Sequence, residues 1–149
     1  MQIVKSRQPL NQLEIRNTEK KINANLPLSY KNFLMAHNGG QPIPNAYPIA
    51  NCPVDTHGLV HFFFCICEGD MYDLIDYVDT YHNRLPEYFL PIACDPGGNL
   101  ICLVTAGPQA GKVYFWDHEE ELTALKTYAN VYLIAESFDE FLESLMELP

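Results

Sequence analysis

A chain of 149 residues with 48% hydrophobic and 12% aromatic content can bury one sizeable core and is too apolar to be disordered. Its formal charge of −10, nine Lys and Arg against nineteen Asp and Glu, opposes binding to nucleic acid or anionic lipid and favours encounter with a basic protein. No run approaches the ~18 apolar residues of a membrane span. The opening MQIVKSRQPL carries no apolar signal segment, and five cysteines without paired spacing point to reduced thiols, so a cytoplasmic protein is expected.

Asn11 and Glu14 have the spacing of a capping box, with Leu10 and Ile15 as the hydrophobic staple across it. This predicts a helix through Ile15, Thr18, Glu19 and Ile22, ending near Ala24. Pro27 suits a first helical position. The second helix then buries Tyr30, Phe33, Leu34 and His37, spaced i, i+3, i+4, i+7, and Asn38-Gly39-Gly40 ends it through a left-handed glycine. Gln41–His57, with Pro42, Pro44, Pro48 and Pro53, reads as loop. Leu59–Cys67 (LVHFFFCIC) reads as an inner strand, apolar on both faces.

Asp70–Asn83 is predicted to be a helix capped by Asp70. Met71, Leu74, Ile75, Val78, Tyr81 and His82 lie on one side, and Asp73 and Asp76 on the other with Tyr72 and Thr80. Asp70 and Asp73 complement the positive helix start. Asp79, near the other end, does not, so local helix stability explains only half of the acidic face.

From Leu85 to Glu121, three strand-like runs (Tyr88–Cys94, Leu100–Thr105, Lys112–His118) are separated by turns rich in Gly and Pro. Asp95-Pro96-Gly97-Gly98 fits a type II turn, with Gly97 in the left-handed position. The middle run, LICLV, has no alternation and is placed centrally in the sheet. Glu119-Glu120-Glu121 opens a charged stretch, and Asn130–Ala135 is a candidate edge strand. Ser137 and Glu140 form a second capping box before a helix burying Phe138, Phe141, Leu142 and Leu145. With no repeat and no second composition, one α+β domain over 1–149 is expected: a mainly antiparallel sheet flanked by helices.

Most chemistry-bearing residues have a simpler account. Ala106–Val113 imitates a phosphate loop, but its first Gly is misplaced, Val113 stands where a Ser or Thr is needed, and a strand follows; a hairpin turn fits better. Trp116-Asp117 lacks the repeat of a propeller. Cys52, Asp55, His57 and His61 are metal-capable, yet no helix converges them, and a loop feeding a strand explains them. Cys65 and Cys67 alternate onto one strand face as small hydrophobes. Cys94-Asp95 and Asp117-His118 fall near strand ends without the loop or helix start that activates a thiol.

The acidic surface carries more. Glu68, Asp70, Asp73 and Asp76 form one patch, with Tyr72 and Tyr77 beside it as anchors. Asp117, Glu119, Glu120 and Glu121 form a second. Such a surface is either a solvated face that maintains solubility or a mimic of phosphate charge that enters a basic cleft.

Four separated pieces, IRNTEKKINANLPLSYKNFLMAHNGG (15–40), LPIACDPGGNLICL (90–103), GKVYFWDHE (111–119) and LIAESFDEFLESL (133–145), occur in an order and spacing that resembles the SMI1/KNR4 family of the SUKH superfamily. The resemblance implies an α+β fold, no enzymatic activity and no cofactor. It implies either an immunity protein that binds a cognate basic toxin domain, a nuclease or deaminase, or a regulatory protein-interaction module. It matches least between Gly40 and Asp70, so it defines partner specificity least there, and the partner is expected on the flank from Gln41 to Asp79.

Overall fold

A computed structural model describes residues 1–53, 55–121 and 126–149, so Val54 of the expected loop and the continuation of the charged stretch past Glu121 lie outside the described residues. Its centre is a five-stranded antiparallel sheet in the order β5 (Phe62–Phe63), β6 (Phe89–Cys94), β7 (Leu100–Val104), β8 (Val113–Trp116), β9 (Val131–Ala135). The three predicted runs form the consecutive strands β6, β7 and β8, and LICLV is the central one. Asn130–Ala135 supplies the edge.

Register makes two continuous rows across the sheet. Phe63, Ala93, Ile101, Phe115 and Tyr132 align on one face, and Phe62, Cys94, Leu100, Trp116 and Val131 on the other. Directly opposed residues on antiparallel strands share a face, so each row is a packing surface.

The first face is covered by α2 (Leu28–Ala36) and α4 (Phe138–Glu143). Phe63 meets Phe33 at 4.9 Å, Phe138 at 6.4 Å and Phe141 at 6.3 Å between ring centroids, all nearly edge-on. Each such ring, fully buried, contributes about 1.5–3 kcal/mol. The second face is covered by α3 (Leu74–Tyr81), which also packs against α1 (Gln12–Ile22). Burial on both sides explains why β6, β7 and β8 are apolar without alternation.

Helix starts follow their sequence signals. Asn11 accepts from the Glu14 N–H at 2.9 Å and Glu14 reaches back to the Asn11 N–H at 3.1 Å, closing the capping box over buried Leu10 and Ile15. Ser137 accepts from the Glu140 N–H at 3.1 Å. The sharpest departure is at Asn38-Gly39-Gly40. α2 leaves through an extended His37, φ −140°, and not through a left-handed cap. Asn38 is buried, donates to the carbonyls of Gln8 and Ile66 and accepts from the Ile66 N–H. Gly39 is small because its neighbour is backbone: a Cβ there would lie 2.8 Å from the Phe63 carbonyl oxygen and from the Cys65 Cβ.

Four short strands were hidden from periodicity. β1 (Gln2–Val4) pairs with β2 (Gln41–Ile43), and β3 (Ala46–Pro48) with β4 (His57–Leu59); β2, β3 and the start of β4 fall in Gln41–His57, the stretch read as loop. The predicted inner strand Leu59–Cys67 is two strands: the chain leaves β3 after Leu59 and joins β6 at Phe62. In the Asp95 turn the left-handed residue is Gly98, φ 92°, and not Gly97; the Asp95 carboxylate accepts the Gly97 and Asn99 N–H groups, each at 2.8 Å, and closes a longer loop than a type II turn.

Candidate protein-binding site

The segment Glu68–Asp76 begins with a turn in which the Asp70 N–H donates to the Cys67 carbonyl at 3.0 Å, with Gly69 left-handed at φ 82°. Residues 72–74 then run beside Cys65: the Cys65 N–H donates to the Tyr72 carbonyl at 3.0 Å and the Leu74 N–H to the Cys65 carbonyl at 2.7 Å. This pairing holds 70–73 out of the helix. α3 therefore starts at Leu74, with Asp73 as its first flanking residue, and the predicted cap at Asp70 is displaced by three positions.

That displacement redistributes the first acidic patch. Asp70 receives Arg7 Nε at 2.7 Å and the Tyr72 N–H at 2.9 Å, and the Arg7 guanidinium also lies 4.8 Å above the Phe62 ring. The hydrogen bond from Arg7, then that from Tyr72, hold the Asp70 carboxyl below the usual carboxylate range. Asp73 is buried at 4% exposure and was expected on the open face. Its carboxylate accepts the Cys67 N–H at 3.4 Å, and burial raises its pKa. Glu68 and Asp76 are exposed, as is Asp79. Met71, placed by periodicity on the buried side, is 75% exposed beside them because it precedes the helix.

The two tyrosines are half-buried anchors. Tyr72 stacks on Phe62 at 4.1 Å and shares a hydrogen bond of 3.0 Å with His61 Nε2. Tyr77 stacks on Phe64 at 3.8 Å, and burial pushes its hydroxyl up to about 12. The row continues along α3: Tyr81 lies parallel to Tyr77 at 6.1 Å and meets Trp116 edge-on at 5.6 Å. Arg84 covers Tyr81 at 4.3 Å and grips the Glu121 carboxylate through Nε and, at 2.6 Å, Nη2.

The second patch divides in the same way. Asp117 is buried; its side chain accepts the Glu119 N–H at 3.0 Å and caps a 3-10 turn over His118–Glu120. Glu121 is occupied by Arg84, which lowers its pKa. Glu119 is exposed and Glu120 partly so. The patches, far apart in sequence, thus sit at opposite ends of one aromatic strip along α3. An eight-residue helix is about 12 Å long, so both ends fit within one interface of standard size. Arg7, Arg84 and Tyr81 complete this surface, over the fully buried Trp116. Tyr81 had its helical period as a signal, whereas nothing local marks the arginines' partners.

The other candidates stay apart from this surface. Cys94 is buried on β6, its thiol pushed up to about 11 by burial, the reverse of an activated nucleophile. Burial likewise pushes Cys65 up to about 12. His57 pairs with Thr56 and His61 with Tyr72, and among the described residues no three His, Cys, Asp or Glu side chains gather in a way that could hold a metal. Among the described residues no helix is long and apolar enough to cross a membrane.

The chain is 30% identical over 151 aligned positions, 91% of its length and 74% of the relative's, to the SPbeta prophage-derived uncharacterized protein YokK of Bacillus subtilis (strain 168). The helical hairpin, the five-stranded meander and the closing helix all fall within residues 9–144, the span that matches the SMI1 / KNR4 family (SUKH-1), and the chain belongs to that family.

Proposed function

We propose that the chain is an immunity protein: a single domain over 1–149 that binds a cognate basic toxin domain, a nuclease or deaminase, in the cytoplasm and neutralises it by stoichiometric occlusion. The SUKH-1 family is known for immunity proteins. The observation that carries the reading to a surface is the exposure of Glu68, Asp76 and Glu119 around the strip built from Tyr72, Tyr77 and Tyr81. Charge at the rim speeds encounter and orients the partner, and half-buried aromatics give it something to pack against. Asp70, Asp73, Asp117 and Glu121 hold the strip's two ends in shape, through Arg7, the Cys67 N–H, the 3-10 turn and Arg84. No proton transfer, metal or cofactor takes part.

The test is a titration with a toxin domain that co-purification identifies as the partner. Glu68→Lys with Asp76→Lys is expected to weaken binding at least about tenfold while the circular dichroism spectrum stays unchanged. A folded double variant with wild-type affinity would remove this face from the mechanism. Asp73→Lys is a poor probe, because a buried lysine there unfolds the helix start before it reports on binding.

A further inference from the structure

Charge is not spread evenly over this acidic molecule. Six of its nine cations, Lys5, Arg7, Arg16, Lys20, Lys21 and Lys31, lie in the first 31 residues, against only Glu14 and Glu19. Lys5 and Arg7 precede α1, and Arg7 is taken by Asp70, but the helical hairpin itself, with Arg16, Lys20, Lys21 and Lys31 against Glu14 and Glu19, remains a basic body on an acidic protein. Between α1 and α2 lies a cavity of about 250 Å³, lined in part by Ile15, Leu28 and Met35 with Arg16 and Lys31 at its sides. That volume takes one Leu- or Met-sized side chain. Leu28, at the cavity's edge, is 70% exposed, so the apolar lining reaches the open surface.

Two further facts set the sign of what fits. Glu19, the carboxylate in the groove, is turned inward: it accepts the Leu26 N–H at 2.8 Å and lies 4.0 Å from Lys31. Arg16 and Lys20 are exposed and form no ion pair among the described residues. α2 also starts at Leu28, with Pro27 in the cap position and not the first helical one, no side-chain cap and no acidic residue in its first turn, so its positive end adds to the same field.

We propose that the α1–α2 groove is a second docking surface, opposite in sign to the first, that takes an acidic protein segment carrying one apolar side chain. The apolar residue enters the cavity against Ile15, Leu28 and Met35, and flanking carboxylates meet Arg16, Lys20 and Lys31. Interleaved Leu and Met favour a protein over a nucleic acid, which would also face the net charge of −10. The groove shares no residue with the proposed toxin-binding strip, so the molecule can hold a basic and an acidic partner together.

The probe is a short peptide of Glu and Gly with one central Leu, titrated into the isotope-labelled full chain at low salt and followed by NMR. Saturable shifts are expected at Arg16, Lys31 and Met35. Replacing the peptide's Leu by Gly should weaken binding about tenfold, the value of one buried aliphatic side chain. Arg16→Glu with Lys31→Glu should weaken it at least about tenfold and leave toxin binding intact, whereas Glu68→Lys with Asp76→Lys should leave the peptide's affinity unchanged. The proposal is overturned by absence of saturable shifts, by equal affinity for the Leu-free peptide, by a single-stranded oligonucleotide binding the same residues more tightly, or by self-association that fills the groove with Met71 of a second copy.

Discussion

Asp70 and Asp73 stand three positions apart and answer to opposite fields. Asp70 is charged against Arg7, and its folded pKa is depressed. Its contribution is present above the unfolded value of about 3.9 and is lost as pH falls through the depressed folded value. Asp73 has a raised folded pKa, caused first by burial. Its contribution is present below the unfolded value and is lost as pH rises through the raised one. The isosteric changes should therefore act in opposite directions in urea unfolding near neutral pH, Asp70→Asn destabilising and Asp73→Asn stabilising, with both effects vanishing in strong acid. Equal signs at neutral pH would mean that the Arg7 pairing does not govern this corner. The cluster of carboxylates was legible in the sequence, but its division was not. Asp70 finds its cation 63 positions away, and no local pattern encodes that encounter.

At the scale of elements, two glycines separate what a turn needs from what packing needs. Gly39, φ 70°, has backbone and a side chain where a Cβ would sit, while Gly98, φ 92°, has only the His118 ring at ordinary contact. Gly39→Ala should cost about 3 kcal/mol or more, strain and overlap together, and Gly98→Ala about 1 kcal/mol, strain alone. Chemical denaturation of the two variants gives the comparison, and equal losses would place the constraint in φ alone. Elements with strong local signals were readable: capping residues set α1 and α4, and long apolar runs bounded by Pro and Gly set β6 to β8. The short strands were not. Three residues, in two of the four strands with a proline among them, carry no measurable period, and Leu59–Cys67 kept its alternation while changing partners midway, which a pattern of side chains cannot record.

At the scale of the molecule, charge is segregated: the hairpin end is basic, the strip along α3 acidic at its rim. If the toxin approaches through that rim, association should slow about tenfold or more between low and physiological salt while dissociation barely changes, because screening acts on encounter and not on packed rings. Stopped-flow association across ionic strength measures this directly. A salt effect confined to dissociation would instead assign the binding energy to desolvated charge pairs.

The carboxylates along α3 also differ in what they are tied to. Asp70, Asp73, Asp117 and Glu121 are fastened into the fold, whereas Glu68, Asp76 and Glu119 are not buried in it. Substitutions at the exposed three should stay within about 0.5 kcal/mol of neutral for stability. If this rim is where a toxin binds, a lineage facing a changed toxin can rewrite its recognition one exposed residue at a time, with the scaffold under no pressure to follow.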